Sequence, residues 1–372
     1  MNNKNKFKEI APLIIVVLLT ALVVAAILLR DGEKNKSKIL YGYFDTVTVI
    51  TDYGGVSAEE FSDICLTVEE GLKYYHRLFD IYNEYSDTVN LCKINKLAGD
   101  GPIEIDAELF AFLEYCRDTY TLTRGEVNVC MGAVLSLWHE FRSGYSKGAP
   151  IPQTEQLSAL YEHCDINLMV LDRDNMTVEL TDPEMSLDVG AVAKGYAAQK
   201  IVDKLKDKGI SGVTLDVGGN ICLVGEKPSG DGWITGIENP DKTSDQPHVM
   251  TFTASDTSVV TSGDYQRYVT VDGKRYHHII DKDTLYPSSF FSSVSVVCRD
   301  SGLADALSTA LFSMSYEDGL ALVESLPEVQ LAVWVTPSGE VLTAGDMEYY
   351  DESIACASLA QAITYKYIRL CA

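Results

Sequence analysis

The stretch MSLDVGAVAKGYAAQKIVDKLKDKG, residues 185–209, joins the end of a strand to a long helix through a glycine turn. Asp188 ends the strand, Gly190 allows the turn, and the pattern predicts a helix over 190–208. Lys194 falls in the first turn of this helix, where the positive end of the helix dipole disfavours a cation. A bound phosphate would explain the lysine, because free N–H groups, the dipole and the ammonium group would converge on it. A solvated helix lysine is the simpler alternative, and the segment is neither a Walker loop nor a dinucleotide fingerprint.

Strand and helix patterns surround this stretch without regular alternation. Residues 167–183 read as a hairpin with an Asp-Asn turn, and Gly218-Gly219 separates two further strand patterns. Because several strands pair as hairpins, the pattern favours an α+β fold. Predicted helices cover 57–79, 107–123, 154–164, 303–314 and 316–325, and predicted strands cover 44–51, 212–217, 220–225, 233–238, 248–254, 258–261, 267–271, 275–280, 293–298, 329–335 and 340–344.

Composition and charge restrict the class of protein. The chain has 372 residues, of which 46% are hydrophobic and 23% charged, as in a globular protein with a sizeable core. A formal net charge of −24 argues against nonspecific nucleic-acid binding, which needs a basic surface. An acidic protein that binds a phosphate-bearing ligand therefore needs cations concentrated at the binding site. The nine cysteines show no C-x-x-C pair, which argues against a disulfide framework.

The N-terminal region differs from the rest of the chain. Residues 1–10 form a short basic segment, and residues 11–29 carry no charge. As a helix, the apolar segment would span about 28 Å, close to the ~30 Å hydrocarbon core of a bilayer. We expect an uncleaved transmembrane anchor, with a cleavable signal peptide as the alternative. A polar linker at 30–38 would lead to a single catalytic domain at 39–350 and a tail at 351–372, so we expect a single-pass cell-membrane protein with an extracytoplasmic domain.

The segment SGLADALSTALF, residues 301–312, places two oxygen-bearing side chains in an otherwise apolar helix. Asp305 and Thr309 are four residues apart and therefore share one helix face. A carboxylate and a hydroxyl group on a buried stripe suit a hard cation such as Mg²⁺, which prefers oxygen ligands and shares phosphate oxygens. Local capping and a hydroxyl bonded to a helix carbonyl explain the pair equally well.

The segment RYHHIID, residues 275–281, contains two adjacent histidines. An Asp-Gly turn before it predicts a hairpin, and on the returning strand His277 and His278 would point to opposite faces. Both cannot then bind one metal ion without a bulge. One of them can act as a general base near neutral pH, and the other is then structural or solvent-facing. Asp281 is expected to brace the following turn.

Together these segments resemble FAD:protein FMN transferases of the ApbE family. The resemblance covers residues 40–345 and rests on several motifs in the family's order, which makes it specific. It implies a single ApbE-like (T-fold-related) catalytic domain of mixed strands and helices behind the N-terminal transmembrane helix. The motifs are LDVGAVAKGYAAQK (187–200), DVGGN (216–220), TSGDYQRY (261–268), RYHHIIDKDT (275–284) and LADALSTALF (303–312).

The resemblance implies a reaction and a set of site residues. Family members cleave FAD between its phosphates, transfer FMN to a Thr or Ser of a target protein, release AMP and require Mg²⁺. Two residues of this chain stand where the family usually has glycine, Asp45 and Leu285. The implied roles are FAD contact for Asp188 and Lys194, the flavin pocket for Ile279, its mouth for Phe44, Mg²⁺ binding for Asp305, Thr309 and the main-chain oxygen of Ala191, and general base for His278.

Three functions therefore stand as hypotheses. The first is a membrane-anchored flavin transferase, whose partners are FAD and an acceptor protein, expected to be a membrane-associated redox protein. The second is an FAD pyrophosphatase, in which water replaces the acceptor hydroxyl and free FMN and AMP appear. The third is an FAD-binding protein without catalysis, against which the combination of His278 with Asp305 and Thr309 argues.

Overall fold

The computed structural model describes residues 35–347 and 349–350. The predicted basic segment 1–10, the anchor 11–29 and the tail 351–372 lie outside these ranges. Among the described helices, none is both long enough and apolar enough to cross a membrane. The described part mixes helices with antiparallel strands, which confirms the predicted α+β class.

The helices begin and end close to their predicted positions. Ser57 caps the first helix, and its Oγ accepts a hydrogen bond from the backbone N–H of Glu60 while the Glu60 carboxylate accepts from Ser57 N–H. Two helices, 91–96 and 132–144, were not predicted. The described helices are α1 (Ala58–Phe79), α2 (Leu91–Lys96), α3 (Ala107–Leu122), α4 (Gly132–Gly144), α5 (Thr154–Tyr161), α6 (Ala193–Asp207), α7 (Ser301–Phe312) and α8 (Tyr316–Glu324), with short 3₁₀ turns at Tyr145–Lys147 and Ile166–Leu168.

The strands form one large antiparallel sheet and three small ones. The eight-stranded sheet has the order β1-β2-β6-β7-β10-β13-β14-β15, and the smaller sheets are β11-β12, β16-β9-β8 and β3-β5-β4. The strands are β1 (Lys36–Tyr43), β2 (Thr46–Asp52), β3 (Ile103–Glu104), β4 (Met169–Asp172), β5 (Thr177–Leu180), β6 (Val213–Val217), β7 (Asn220–Val224), β8 (Trp233–Glu238), β9 (His248–Ala254), β10 (Thr257–Gly263), β11 (Tyr268–Val271), β12 (Lys274–His277), β13 (Ser293–Cys298), β14 (Val329–Val335), β15 (Val341–Ala344) and β16 (Tyr349–Tyr350).

The two faces of the large sheet are covered differently. On one face, α1, α6 and α7 pack on β-strand side chains such as Val260 and Val296. On the other face, β8 and β9 pack on Val259 and Val297 through Trp233 and Phe252. Because neighbouring residues of a strand point to opposite faces, β10 contributes Val260 to one core and Val259 to the other. The helix-covered face carries the predicted site residues on α6 and α7.

The first hairpin corrects two predictions. The strand predicted over 44–51 begins at Thr46, and Phe44 and Asp45 form a two-residue turn in which both have positive φ, 53° and 51°. An unpredicted edge strand, β1, begins at Lys36, inside the predicted linker 30–38. This strand is mostly exposed and carries charged residues, so it lacks the apolar alternation that identifies a half-buried strand.

Two further boundaries differ from the predictions. Helix α6 begins at Ala193, not at 190, because residues 189–192 form a separate turn in which Val192 N–H donates to Val189 C=O. The strand predicted over 275–280 ends at His277, so the prediction that His277 and His278 occupy opposite faces of one strand is wrong. The chain beyond it turns locally, since Ile279 N–H donates to Nδ1 of His277.

The two residues that replace family glycines both adopt left-handed backbone conformations. Asp45 has a φ of 51° and Leu285 a φ of 60°. Such conformations cost an L-residue roughly 1–2 kcal/mol relative to glycine. At Leu285 burial of the side chain in the cluster around Trp138 offsets this cost, whereas Asp45 is exposed.

Candidate active site

Helices α6 and α7 meet at a glycine that faces a carboxylate. A Cβ atom at Gly195 would lie 2.4 Å from Cβ of Asp305 and 2.4 Å from the carbonyl oxygen of Ser301, so only glycine allows this approach. The N–H of Gly195 donates to Oδ2 of Asp305 at 2.8 Å. The sequence placed Lys194 and Asp305 in separate motifs, and this contact brings the motifs together.

Asp305 is almost fully buried, with 4% of its surface exposed. Burial raises the pKa of its carboxyl group, and the charge of Lys194, the Gly195 N–H and the Asn220 side chain oppose that rise. The Asn220 side chain acts on this carboxylate, and its Nδ2 is buried with no hydrogen-bond partner in the part of the chain that the structure describes. The carboxylate is therefore incompletely compensated, as expected where a cation is to bind.

Three oxygen atoms at this end of the site suit a hard cation. Gly195 N–H donates to Asp305, and no described backbone group donates to the carbonyl of Ala191, four residues earlier. Thr309 is half-buried on α7, one turn after Asp305. Within the described ranges no group of three His, Cys, Asp or Glu side chains could hold a metal ion. One carboxylate, one hydroxyl and one carbonyl fit Mg²⁺, which keeps water and substrate phosphate oxygens as its other ligands.

The two adjacent histidines have different surroundings. His277 is buried, its Nε2 donates to the carbonyl of Ser288 at 2.8 Å, and its Nδ1 accepts from Ile279 N–H. Both ring nitrogens of His277 are thus used to hold the loop that follows β12. Nδ1 of His278 is buried and has no hydrogen-bond partner among the described residues. His278 is therefore the histidine whose ring remains available for chemistry.

Cations from three segments surround His278. Burial, followed by the charges of Arg142, Lys194, His277 and Arg267, lowers the pKa of His278 to about 3. Arg142 comes from α4, Lys194 from α6, and Arg267 from the segment before β11. The protein as a whole carries a net charge of −24, so this group is the local concentration of positive charge that a phosphate ligand requires.

Arg142 reaches the site because α4 packs on the histidine hairpin. Trp138 stacks on Tyr276 with ring centroids 6.0 Å apart, and its Nε1 donates to the carbonyl of Leu285 at 2.8 Å. One turn later, Nη1 of Arg142 donates to the carbonyl of His277 at 3.4 Å. Burial lowers the pKa of the Arg142 guanidinium group, and Asp188 opposes this effect.

Asp188 lies within electrostatic reach of Arg142. Burial raises the pKa of the Asp188 carboxyl group, against the effects of the Gly190 N–H, His139 and Arg142. Its Oδ1 accepts from Gly190 N–H at 2.9 Å, which fixes the turn before α6. Its backbone N–H bonds to the carbonyl of Val129, and this bond ties the turn to the segment before α4.

Phe44 lies in the turn of the first hairpin, whereas Ile279 lies in the main core beside His278. Phe44 is half-buried in a left-handed conformation, its N–H donates to Nδ1 of His76, and the two rings meet edge to face at 5.7 Å. The positive φ of Phe44 is the one that a two-residue hairpin turn requires at both of its positions. Ile279 is buried in the main core with 6% of its surface exposed, next to His278.

Asp281 has the structural role that the sequence predicts. Its Oδ1 accepts from the N–H groups of Asp283 and Thr284, and its carbonyl accepts from Leu285 N–H. These bonds close the turn after the histidine pair and use the carboxylate locally. Asp281 therefore braces this turn, and among the described hydrogen bonds none joins it to His278.

Arg142, Arg267 and Asn220 were not identified from the sequence as site residues. Asn220 and Arg267 lie inside the quoted motifs DVGGN and TSGDYQRY, which was the available signal. Arg142 follows Trp138 by four residues and so shares its helix face, but α4 itself was not predicted. Its position near His278 depends on a hydrogen bond to the carbonyl of His277, which is 135 residues away in the sequence. Periodicity does not reveal such a contact.

Comparisons with a family model and with known proteins agree on one family. The model of the ApbE family matches residues 44–333. A Treponema pallidum protein named FAD:protein FMN transferase is 35% identical over 327 residues, covering 84% of this chain and 87% of that protein. A Klebsiella pneumoniae protein of the same name is 30% identical over 274 residues, covering 72% of this chain and 83% of that protein.

Solved structures share the fold. The crystal structure of an ApbE protein from Thermotoga maritima superposes with a TM-score of 0.72 at 26% identity, covering 83% of this chain and 96% of that one. The flavin transferase ApbE from Vibrio cholerae superposes with a TM-score of 0.70 at 24% identity, covering 84% and 98%. The architecture described above is thus the one these proteins have.

Proposed function

This chain belongs to the ApbE family and is an enzyme, an FAD:protein FMN transferase, and we propose that it attaches FMN to a Thr or Ser side chain of its acceptor with the help of Mg²⁺. One observation carries the proposal. Asp305 and His278 come from distant segments, and Lys194 is within electrostatic reach of both the Asp305 carboxylate and the His278 imidazole, whose Nδ1 has no partner among the described residues. This combination suits transfer of a phosphate-linked group to a hydroxyl group.

The residues of this chain would share the work as follows. Asp305, Thr309 and the Ala191 carbonyl would hold Mg²⁺, which supplies Lewis-acid stabilisation of charge on the phosphate oxygens when bound. Lys194 would offset the charge of the FAD diphosphate. Nδ1 of His278 would take the proton from the acceptor hydroxyl while its oxygen bonds to the FMN phosphorus. The bond from that phosphorus to the bridging oxygen breaks, and AMP leaves with this oxygen.

FAD itself would strengthen the base. With a pKa near 3, the His278 ring is neutral but a weak proton acceptor. The diphosphate brings negative charge to Lys194 and the neighbouring arginines, which offsets the cations that depress this pKa. The imidazole would therefore gain basicity only when substrate is present.

We also propose that residues 11–29 anchor the enzyme in the cell membrane, with the catalytic domain outside the cytoplasm. The uncharged apolar segment behind a basic N-terminus supports this proposal. The acceptor would then be a membrane-associated redox protein. Hydrolysis of FAD to FMN and AMP is the second candidate, because the same metal and phosphate residues would serve it.

The direct test uses the purified full-length chain with FAD, Mg²⁺ and a candidate acceptor bearing a flavinylation threonine. Fluorescent flavin on the denatured acceptor, with AMP in equal amount, would support transfer, and EDTA should abolish both. An acceptor with that threonine changed to valine should stay dark. Release of FMN with AMP in the absence of labelled acceptor would support the hydrolase, and intact bound FAD would contradict both reactions.

A further inference from the structure

Three hydroxyl groups form a chain beside Asp305. Oγ of Ser308 donates to the main-chain carbonyl of Asp305 at 2.9 Å. Oγ of Ser262, on β10, lies 2.8 Å from Oγ of Ser308 and 3.3 Å from Oγ1 of Thr309. Ser308 is fully buried, and the other two are half-buried.

The number of protons available fixes which hydroxyl group donates each hydrogen bond. A hydroxyl group has one proton to donate, and a carbonyl oxygen can only accept. Because Ser308 spends its proton on the Asp305 carbonyl, Ser262 must donate to Ser308. Ser262 then has no proton left, so Thr309 donates to Ser262 and keeps both of its lone pairs free.

We infer that Ser262 and Ser308 are positioning residues that orient the Thr309 hydroxyl so that its lone pairs are available to a cation. The inference deepens the proposed function, because it assigns how Thr309 would serve as a ligand beside Asp305 and Ala191. Without the hydrogen bonds of Ser262 and Ser308, the Thr309 hydroxyl could rotate, and its proton would compete with the cation for the same oxygen. Fixing the hydroxyl in advance lowers the entropy lost on binding.

A serine that bonds back to a helix carbonyl is common and alone means little. Two facts point further here. Ser262 comes from a different element, and it contacts Thr309 as well as Ser308. The next residue of β10, Thr261, makes the same kind of bond to Ser295 at 2.7 Å, but on the opposite face of the sheet. That second pair is a matched control without a ligand nearby.

The test measures Mn²⁺ binding, as a spectroscopic substitute for Mg²⁺, to the purified full-length chain without FAD. Free Mn²⁺ is followed by electron paramagnetic resonance, and folding of each variant by thermal melting. Loss of one net hydrogen bond predicts that Ser262→Ala and Ser308→Ala each weaken Mn²⁺ affinity by about 2–10-fold. Thr261→Ala should bind as the parent does, and Ser262→Thr, which keeps the hydroxyl, should too.

The double variant adds a signature that simple loss of packing does not produce. In Ser308→Ala the freed proton of Ser262 turns toward Thr309 and blocks a lone pair. Adding Ser262→Ala removes that proton, so the two effects should combine to less than their product. A fully multiplicative loss, or variants that bind like Thr261→Ala, would overturn the inference.

The controls separate this inference from the proposed function. Thr309→Val should lose more affinity than either serine variant, because it removes the ligand itself. If the parent chain does not bind Mn²⁺ at all, the metal role in the proposed function is wrong and the orientation of Thr309 is wrong with it. If Thr309→Val binds Mn²⁺ weakly while both serine variants bind it as the parent does, only the inference about Ser262 and Ser308 fails.

Discussion

The Asp305 end of the candidate active site and the His278 end are built in different ways. Asp305 and Lys194 lie on two regular helices that touch at Gly195. A hydrogen bond from Gly195 N–H to the Asp305 carboxylate joins the two helices. His278 lies just after the end of β12, and the cations that act on it come from α4, from α6 and from the segment before β11. A contact between two helices sets the Asp305 end, whereas the His278 end depends on a strand end, two helices and a loop that are far apart along the chain.

This difference has a consequence for mutation. At the Asp305 end, a substitution changes either a candidate metal ligand or the distance between two helices. At the His278 end, it changes charge and proton affinity while leaving the main core intact. The following substitutions test that contrast.

The largest effect is expected for Asp305→Asn. The amide can still accept the N–H of Gly195, so the fold should persist, but the charge that attracts the cation is lost. Loss of several kcal/mol of charge stabilisation predicts that AMP release falls on the order of 10³-fold or more. Product chromatography measures the rate, and Mn²⁺ titration should show the lost affinity. Near-normal AMP release with bound metal would show that the metal lies elsewhere.

His278→Ala should remove the base but leave FAD bound. General-base catalysis typically contributes ~10²–10⁴-fold, so FMN transfer should fall by that factor while the Kd for FAD changes little. Stopped-flow transfer assays and FAD fluorescence titration give the two quantities. As the matched control, His277→Leu should lower thermal stability, because it removes the bond to Ser288, and should spare the rate of the folded enzyme. Equal losses of rate in both variants would contradict the division of roles.

Gly195→Ala should push α6 and α7 apart. The new methyl group would contact Cβ of Asp305 at 2.4 Å, and overpacking of this kind costs about 1–3 kcal/mol of the free energy of unfolding. Urea unfolding measures this loss, and metal affinity should fall in the same protein. Gly319→Ala on α8 is the control, because its methyl group would meet Leu311 at 3.2 Å and Trp334 at 3.4 Å. If both variants are equally stable, the contact at Gly195 is looser than described.

Arg142→Met should change the pH dependence of the reaction. With a pKa near 3, His278 stays neutral throughout pH 5–8. Removing a neighbouring cation raises this pKa of the FAD-free enzyme toward its ordinary value of 6.5, so kcat/KM for FAD should now decline as pH falls through the new pKa. Arg142→Lys, which keeps a charge, should resemble the parent. An unchanged pH profile in Arg142→Met would show that the guanidinium group does not act on His278.

The same pKa also affects stability, with a defined sign. The unfolded chain takes up a proton on His278 below about pH 6.5, whereas the folded protein does so only near pH 3. Stability contributed by the neutral ring is therefore present above pH 6.5 and is lost as pH falls between these values. Urea unfolding of Arg142→Met should show a shallower loss of stability between pH 7 and pH 5 than the parent shows.

The smallest effect is expected for Asp45→Gly. Asp45 is exposed in a left-handed turn, so glycine should relieve backbone strain and raise the free energy of unfolding by about 1 kcal/mol or less. Leu285→Gly is the informative contrast, because there the lost burial should outweigh the relieved strain. If the melting temperature rises in Asp45→Gly and falls in Leu285→Gly, the balance between backbone strain and side-chain burial is confirmed. A shift in the same direction in both variants would refute it.

Much of the Asp305 end was predictable from sequence. The helices that carry Lys194 and Asp305 show a strong apolar period, and side chains four residues apart on a helix share a face whatever surrounds them. Those local rules do not show that the two helices touch. Gly195 permits that contact, but a glycine within a helix pattern has no single meaning until its neighbour is known.

The His278 end shows what the sequence leaves open. The predicted strand through His278 was too long, because the ring of His277 turns to bond Ser288 and Ile279 and so ends the strand. Which histidine keeps a free ring nitrogen therefore depends on a contact that becomes visible only in three dimensions.

The sequence by itself determined the α+β class, the order of the motifs and the candidate oxygen ligands on α7, since these follow from periodicity and residue chemistry within short segments. The tertiary structure alone decided that Arg142 and Arg267 join Lys194 around His278, and that Ser262 contacts Thr309. These groups are far apart along the chain, and only packing of the helices and hairpins on the sheet brings them within reach of one another's charges and hydrogen bonds.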